Sequence, residues 1–287
     1  MAIETKTDAV MRFKPLMTAV YGRLNDSHFM SDGQPIHTFG VTVVGKYAYA
    51  GNNHLVGKIY IPDGNPPPHA VYWDFSASEA DAIKASPLET GELQALSGYA
   101  DQQMPLFFNF CTEAWEAGTP SSFAETNIKT LKSFFFNWRD NLLKIRKEEI
   151  LKILQEHFGR RLSEMAKWCL LIKAIPETAE IELCLMRIAK KDTSGESVFR
   201  ISMHIAPGRD PWHDYRPPAI CGVSVFYLYH VLQAFPEYDF LDLCFDNKFS
   251  TPIILKGVNP RDASKPDIRF AIAQSRPKYD FLGKELY

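Results

Sequence analysis

The sequence predicts a mixed α+β protein in which helices alternate with runs of antiparallel strands. Composition is the first observation behind this reading: of 287 residues 46% are hydrophobic and 23% charged, the balance of an ordinary globular chain. The second is a set of short stretches rich in β-branched and aromatic residues, bounded by Gly, Asn, Asp and Pro turn signals. The third is the presence of segments whose apolar residues recur three and four positions apart, the helical spacing.

The elements follow in order. Met11, Leu16, Met17, Val20 and Leu24 give helical spacing over 10–24, with Pro15 tolerable near the first turn. Residues 38–50 and 54–61 read as strands joined by the turn Gly51-Asn52-Asn53. After Pro66-Pro67-Pro68, residues 69–75 read as a strand, and Ser76 or Ser78 opens a helix through Ala80, Ile83 and Lys84. Residues 88–120 are aromatic and partly helical in pattern, interrupted by Pro105. The strongest helical signal runs from 122 to 161, where Leu142, Ile145, Ile150, Ile153, Leu154 and Phe158 form an apolar stripe that Gly159 ends or breaks.

Strands are expected at 167–175, 180–189 and 198–206, an antiparallel meander joined by Pro176-Glu177-Thr178 and Asp192-Thr193-Ser194-Gly195. A polar connector at 207–218 leads to a helix at 223–235 and to strands at 238–245, 252–256 and 268–273. The second half therefore reads helix, strands, helix, strands, and the stretch 10–75 begins the same way.

No run of about 18 apolar residues is present to span a bilayer. Glu4, Lys6 and Asp8 break up the first ten residues, unlike a secretory signal, so a cytoplasmic protein is expected. Cys111, Cys169, Cys184, Cys221 and Cys244 are scattered without a C-x-x-C pair and read as reduced, buried thiols.

Two stretches carry a family resemblance. Phe226-Tyr227-Leu228-Tyr229-His230-Val231-Leu232-Gln233-Ala234-Phe235, then Phe240-Leu241-Asp242-Leu243-Cys244-Phe245, Thr251-Pro252-Ile253-Ile254 and Ile268-Arg269-Phe270-Ala271-Ile272-Ala273, resemble the closing block of the DNA sliding clamps, above all the bacterial β-clamp. Phe13-Lys14-Pro15-Leu16, Pro35-Ile36-His37 and Tyr47-Ala48-Tyr49-Ala50-Gly51-Asn52-Asn53-His54-Leu55 are similar to that family's first helix, strand and hairpin. The resemblance covers roughly 110 residues. The chain departs from it at 88–120, which lacks the expected strands, in the length of the helix around 132–161, and in a tail at 277–287 that overruns the usual end.

The resemblance implies an N-terminal clamp-like domain with a helical extension over 1–120, and a long helix with a C-terminal clamp-like domain over 121–287. Two such domains, where the bacterial protein has three, imply a homotrimeric ring. The implied function is that of a processivity factor: it encircles duplex DNA and tethers polymerase or repair proteins, without chemistry or cofactor of its own.

A sliding ring must attract phosphates without reading bases, so cations facing the hole are expected. Residues 128–161 hold nine Lys or Arg against four acids, a net of +5. Lys144, Arg146, Lys147 and Lys152 on that segment are candidate DNA contacts, with Arg12, Lys14 and Arg23 near the first helix and Lys84 on the second. The ordinary alternative for such cations is the solvated face of an amphipathic helix. By resemblance, Ile253, Ile272, Ala273 and Arg276 would form the pocket for a partner's short apolar peptide.

Other constellations point elsewhere. His204, Asp210, His213 and Asp214 fall within eleven residues and have the chemistry for a divalent metal or acid–base work, although Pro207-Gly208-Arg209-Asp210-Pro211 also reads as a plain connector. Asp239, Asp242, Asp246 and Lys248 group acids and a lysine near one strand, as in some nucleases, while Asp242 between Leu241 and Leu243 has the spacing of a solvent-facing strand residue. Phe134-Phe135-Phe136-Asn137-Trp138 reads as core or subunit interface, with base stacking as the other use. The commoner nucleotide-binding and hydrolase strings are missing from the sequence. Two alternatives to a clamp therefore stand: a non-catalytic protein-interaction factor of viral or mobile-element origin, and a metal-dependent nuclease or phosphoesterase.

Overall fold

The computed structural model describes residues 14–20, 38–44, 46–51, 54–60, 71–76, 106–109, 114–117, 135, 141–159, 161–175, 178, 180–188, 197–202, 220–235, 238–246, 251–257 and 267–275. The chain divides into two compact units, one of residues 1–136 with 262–268 and one of 137–261 with 269–287.

In the first unit, helix α1 (Lys14–Val20) buries Leu16, Met17, Ala19 and Val20. It packs on strands β2 (Tyr47–Gly51) and β3 (Leu55–Tyr60). With β1 (Thr38–Val44) and β4 (Val71–Ser76) these strands lie in the order β4-β1-β2-β3. The expected single strand over 38–50 is two, because the chain reverses at Lys46 and pairs Val44 with Tyr47. Lys58 on β3 is buried, its ammonium 3.9 Å from the centre of the Tyr47 ring and 5.8 Å from that of Phe135. With the Tyr49 ring at 5.9 Å, three rings thus face the cation. Phe135 is itself buried. Within 88–120, expected to lack strands, β5 (Leu106–Asn109) and β6 (Ala114–Ala117) form an antiparallel pair.

The second unit is built twice over from one pattern: a strand, a helix, then three strands. The first copy comprises β7 (Asn141–Arg146), α2 (Lys147–Phe158), the short α3 (Leu162–Met165), β8 (Trp168–Ile175), β9 (Glu180–Arg187) and β10 (Ser197–Ser202). The second comprises β11 (Ile220–Ser224), α4 (Val225–Gln233), β12 (Phe240–Phe245), β13 (Ile253–Gly257) and β14 (Ile268–Ile272). The leading strands are exchanged: β11 pairs antiparallel with β8 of the first copy, and β7 with β12 of the second. The sheets therefore run β10-β9-β8-β11 and β14-β13-β12-β7. This exchange locks the copies together, since neither sheet is complete without the other's strand.

β7 corrects the expected long helix over 122–161. Leu142 and Ile145 share in the apolar spacing of a helix, yet they lie on a strand whose register sets Leu143 opposite Leu243 and Lys144 opposite Asp242. The helix starts only at Lys147 and buries Ile150, Leu151, Leu154 and Phe158. Its first turn lacks a side-chain cap, and the Lys147 N–H instead donates to the Asp239 carbonyl at 2.9 Å. Glu148 and Glu149 suit the positive end of the helix dipole. Gly159 takes φ 58° with ψ −126°, a positive-φ conformation open to glycine and strained for other residues, and its N–H reaches the Gln155 carbonyl.

α4 buries Val225, Leu228, Val231 and Leu232 and packs on β8, β11 and α2. Beyond its end Phe235 meets Phe270 and Tyr238 edge-on, ring centres 5.3 and 5.9 Å away. The close seat of Phe235 is why residue 257 is glycine: a Cβ there would stand 2.7 Å from the ring.

Candidate nucleic-acid interface and partner pocket

The described candidate DNA contacts, Lys14, Lys144, Arg146, Lys147 and Lys152, fall on two helices and one strand, and their neighbours differ greatly. Lys14 opens α1 and is half-buried. Lys144 on β7 forms a 2.8 Å ion pair with Asp242 across the sheet, both side chains about one-third exposed. Arg146, at the end of β7, is exposed, its guanidinium 5.9 Å from the centre of the exposed Phe240 ring. Lys147 points inward. Its side chain is 8% exposed and its ammonium donates to the Phe235 carbonyl at 2.8 Å, just beyond α4. Lys152 is exposed, 3.9 Å from the Glu156 carboxylate one turn on. Arg12, Arg23 and Lys84 lie outside the described residues.

Among the described residues, the net +5 over 128–161 does not become a basic helix face. Of its nine cations, Lys147 is buried, Lys144 is paired across strands, and Arg161 bonds the carbonyls of Phe158 and His157 at the end of α2. Lys129, Lys132, Arg139 and Arg160 lie outside the described residues. α2 itself carries two lysines against three glutamates, and among its exposed side chains Glu148 and Glu156 outnumber Lys152. α4 bears no acid, Lys or Arg, and its less buried positions are Phe226, Tyr227, Tyr229 and Gln233. That face was legible in advance, because the run 225–233 is aromatic and lacks those charges in the sequence itself.

No protein-family model matches the sequence, and no curated protein does. Solved structures do match in fold. The DNA polymerase III subunit beta from Pseudomonas aeruginosa superposes with a TM-score of 0.56 at 9% identity, over 94% of this chain and 64% of that one. The DNA polymerase beta subunit of Streptococcus pyogenes gives 0.54 at 11%, over 94% and 64%. Proliferating Cellular Nuclear Antigen from Entamoeba histolytica gives 0.50 at 10%, over 93% and 96%. The chain has the DNA sliding-clamp fold. It spans 63% or 64% of the length of these bacterial subunits and nearly the whole of the Entamoeba protein.

Within the clamp fold, Ile253 lies on β13 and Ile272 on β14, neighbouring strands of one sheet, and Ala273 follows β14 directly. Ile253 and Ile272 are wholly buried in the core, whereas Ala273 at the end of β14 is exposed. Gln274 then bonds the Thr251 carbonyl through its amide nitrogen at 2.9 Å. Arg276 lies outside the described residues.

Among the described residues there is no group of three or more His, Cys, Asp or Glu able to hold a metal ion. His204, Asp210, His213 and Asp214 lie outside them, as does Lys248. Asp242 belongs to the cross-strand pair with Lys144, and the Asp239 carbonyl caps α2. Cys169, Cys184, Cys221 and Cys244 are buried thiols, while Cys111 is not among the described residues. Burial pushes the Cys169 thiol up to about 12 and that of Cys221 well above its usual value. Both are thereby kept from nucleophilic use, since the thiolate is the reactive form.

Proposed function

We propose that this chain is the subunit of a DNA sliding clamp, a cytoplasmic processivity factor that encircles duplex DNA as a homotrimer and acts without chemistry or cofactor. One observation carries the reading. The chain aligns over 92–94% of its length with bacterial clamp subunits, at about two-thirds of theirs, and over 96% of the length of the Entamoeba clamp. A ring assembled from shorter subunits needs more of them, and three copies follow if the hole is the same size.

Lys14, Arg146 and Lys152 are the described cations proposed to face phosphate, with Arg12, Arg23 and Lys84 beside them. Lys144 and Lys147 have the same charge but hold the fold. Ala273 and Arg276, which follow the buried Ile272 in sequence, are proposed together with Ile253 and Ile272 as the site where a polymerase or repair protein inserts an apolar peptide.

Two measurements test this. Light scattering coupled to size exclusion should return three times 32.7 kDa, about 98 kDa. Protein loaded on a nicked circular plasmid should stay bound through a salt wash and come off once the plasmid is linearised. A strict monomer at micromolar concentration, or equal retention on circle and linear DNA, would sink the ring.

One observation favours a second reading. The exposed charge of α2 is acidic and α4 offers aromatic rings, surfaces that suit a protein partner better than a phosphate backbone. In that reading the clamp fold serves as a protein-interaction factor. Retention on neither plasmid form, together with capture of a defined protein partner, is its signature.

A further inference from the structure

On β8, β9 and β11 one face of the sheet β10-β9-β8-β11 is core: Leu170, Ile172, Leu183, Leu185 and Cys221 are all 0% exposed. Strand alternation puts the intervening residues on the opposite face, in three cross-strand rows. Ile220, Lys173, Glu182 and Arg200 form the first row, polar from Lys173 onward, with Arg200 3.4 Å from Glu182. The next row is Gly222, Leu171, Cys184 and Val198, and the third is Ser224, Cys169 and Met186. Leu171, Cys184, Cys169 and Met186 are at most 6% exposed, and Ile188 packs against them, while Val198 in the same row is 53% exposed. An apolar strip on the outer side of a sheet reaches such burial only under a cover.

One corner of that cover is described. After β14, Gln274 bridges Val223, the Ser275 N–H donates to the Gly222 carbonyl at 2.9 Å, and the Cys169 thiol donates to the Ser275 carbonyl at 3.1 Å. A Cβ at Gly222 would collide with that same carbonyl oxygen. The chain thus leaves residue 275 lying on the strip, at its β11 end. Residues 277–287 follow, with Tyr279, Phe281, Leu282 and Leu286 interspersed with Lys278, Asp280, Lys284 and Glu285. Eleven residues reach about 36 Å when extended, and crossing from β11 to β10 takes only about 14 Å.

We propose that residues 277–287 dock along this strip, their apolar side chains over Leu171, Cys184 and Met186 and their charges toward the Lys173–Glu182–Arg200 row. The strip is then a docking surface occupied by residues 277–287 of the same chain.

The experiment compares the full chain with one ending at Arg276, reading site-resolved alkylation of Cys184 by iodoacetamide under native conditions. Labelling is expected to speed up at least tenfold in the shortened chain and to fall back when a synthetic peptide of residues 277–287 is added. Should the shortened chain not fold, a full-length Phe281→Asp, Leu282→Asp variant carries the same expectation. Unchanged labelling of Cys184 in either folded variant overturns the proposal. So does labelling of the full chain that rises on dilution, which would make a second copy of the protein the cover.

Discussion

The two copies of the repeat in the second unit share a topology and differ in what holds them. The first is tied to its neighbour by polar links: Lys147 donates to the Phe235 carbonyl from its side chain and to the Asp239 carbonyl from its backbone, and Lys144 pairs with Asp242. The second relies on close packing, with Phe235 against Phe270 and over Gly257, and the Gly222 backbone pressed beneath that of Ser275. The outer faces diverge as well, charged on α2 and aromatic on α4. One backbone plan thus tolerates either kind of glue, provided that each helix buries an apolar stripe and each sheet receives its exchanged strand.

Substitutions that attack the contacts of the second copy should cost most. Gly257→Val drives a side chain into the Phe235 ring and is expected to destabilise by about 3 kcal/mol in urea unfolding. Gly222→Ala meets backbone rather than a movable side chain and should cost a similar amount. A loss under about 1 kcal/mol in both would show that the second copy has slack the structure does not suggest.

Next comes the polar tie. Lys147→Ala strips the Phe235 carbonyl of its buried donor and should cost about 2 kcal/mol, whereas Lys147→Met, which keeps the stem packed, should recover part of that. Equal losses for the two would mean that the charge, not the stem, matters. Lys144→Ala, at an ion pair about one-third exposed, should cost only about 0.5 kcal/mol. That difference sharpens the DNA reading too: Lys152→Glu should change DNA retention without moving the unfolding midpoint, and Lys147→Glu should do the reverse.

The smallest effect concerns pH. Burial and the nearby Arg161 hold the His157 imidazole below its ordinary 6.5. The unfolded chain therefore binds this proton more readily, so stability is full above pH 6.5 and declines as pH falls through the folded value. His157→Gln should flatten that part of the acid limb slightly. An unchanged slope between pH 7 and 5 would remove His157 from the account.

How much was legible in the sequence varies element by element. Strands β8, β9, β12, β13 and β14 and helix α4 lie close to where composition and turn signals put them, because each is bounded by Pro, Gly, Asp or Asn. The two leading strands were not legible. β7 ends at Arg146 and α2 begins at Lys147, β11 ends at Ser224 and α4 begins at Val225, and neither helix start has a side-chain cap. With no turn between them, Leu142 and Ile145 merged into the helical spacing of Ile150 and Leu154. Among the candidate site residues, the sequence could count cations but could not tell Lys152, in water, from Lys147, under a carbonyl.

The sequence by itself determined the class of the protein: apolar periods of two and of three-to-four, with turn residues between them, require alternating strands and helices whatever the partner of each. Tertiary structure alone decided which strand completes which sheet, since β7 and β11 pair across about a hundred and about fifty residues where local propensity says nothing. It also decided which lysine is a surface charge and which is a buried strut, because that depends on where the Phe235 carbonyl arrives in space.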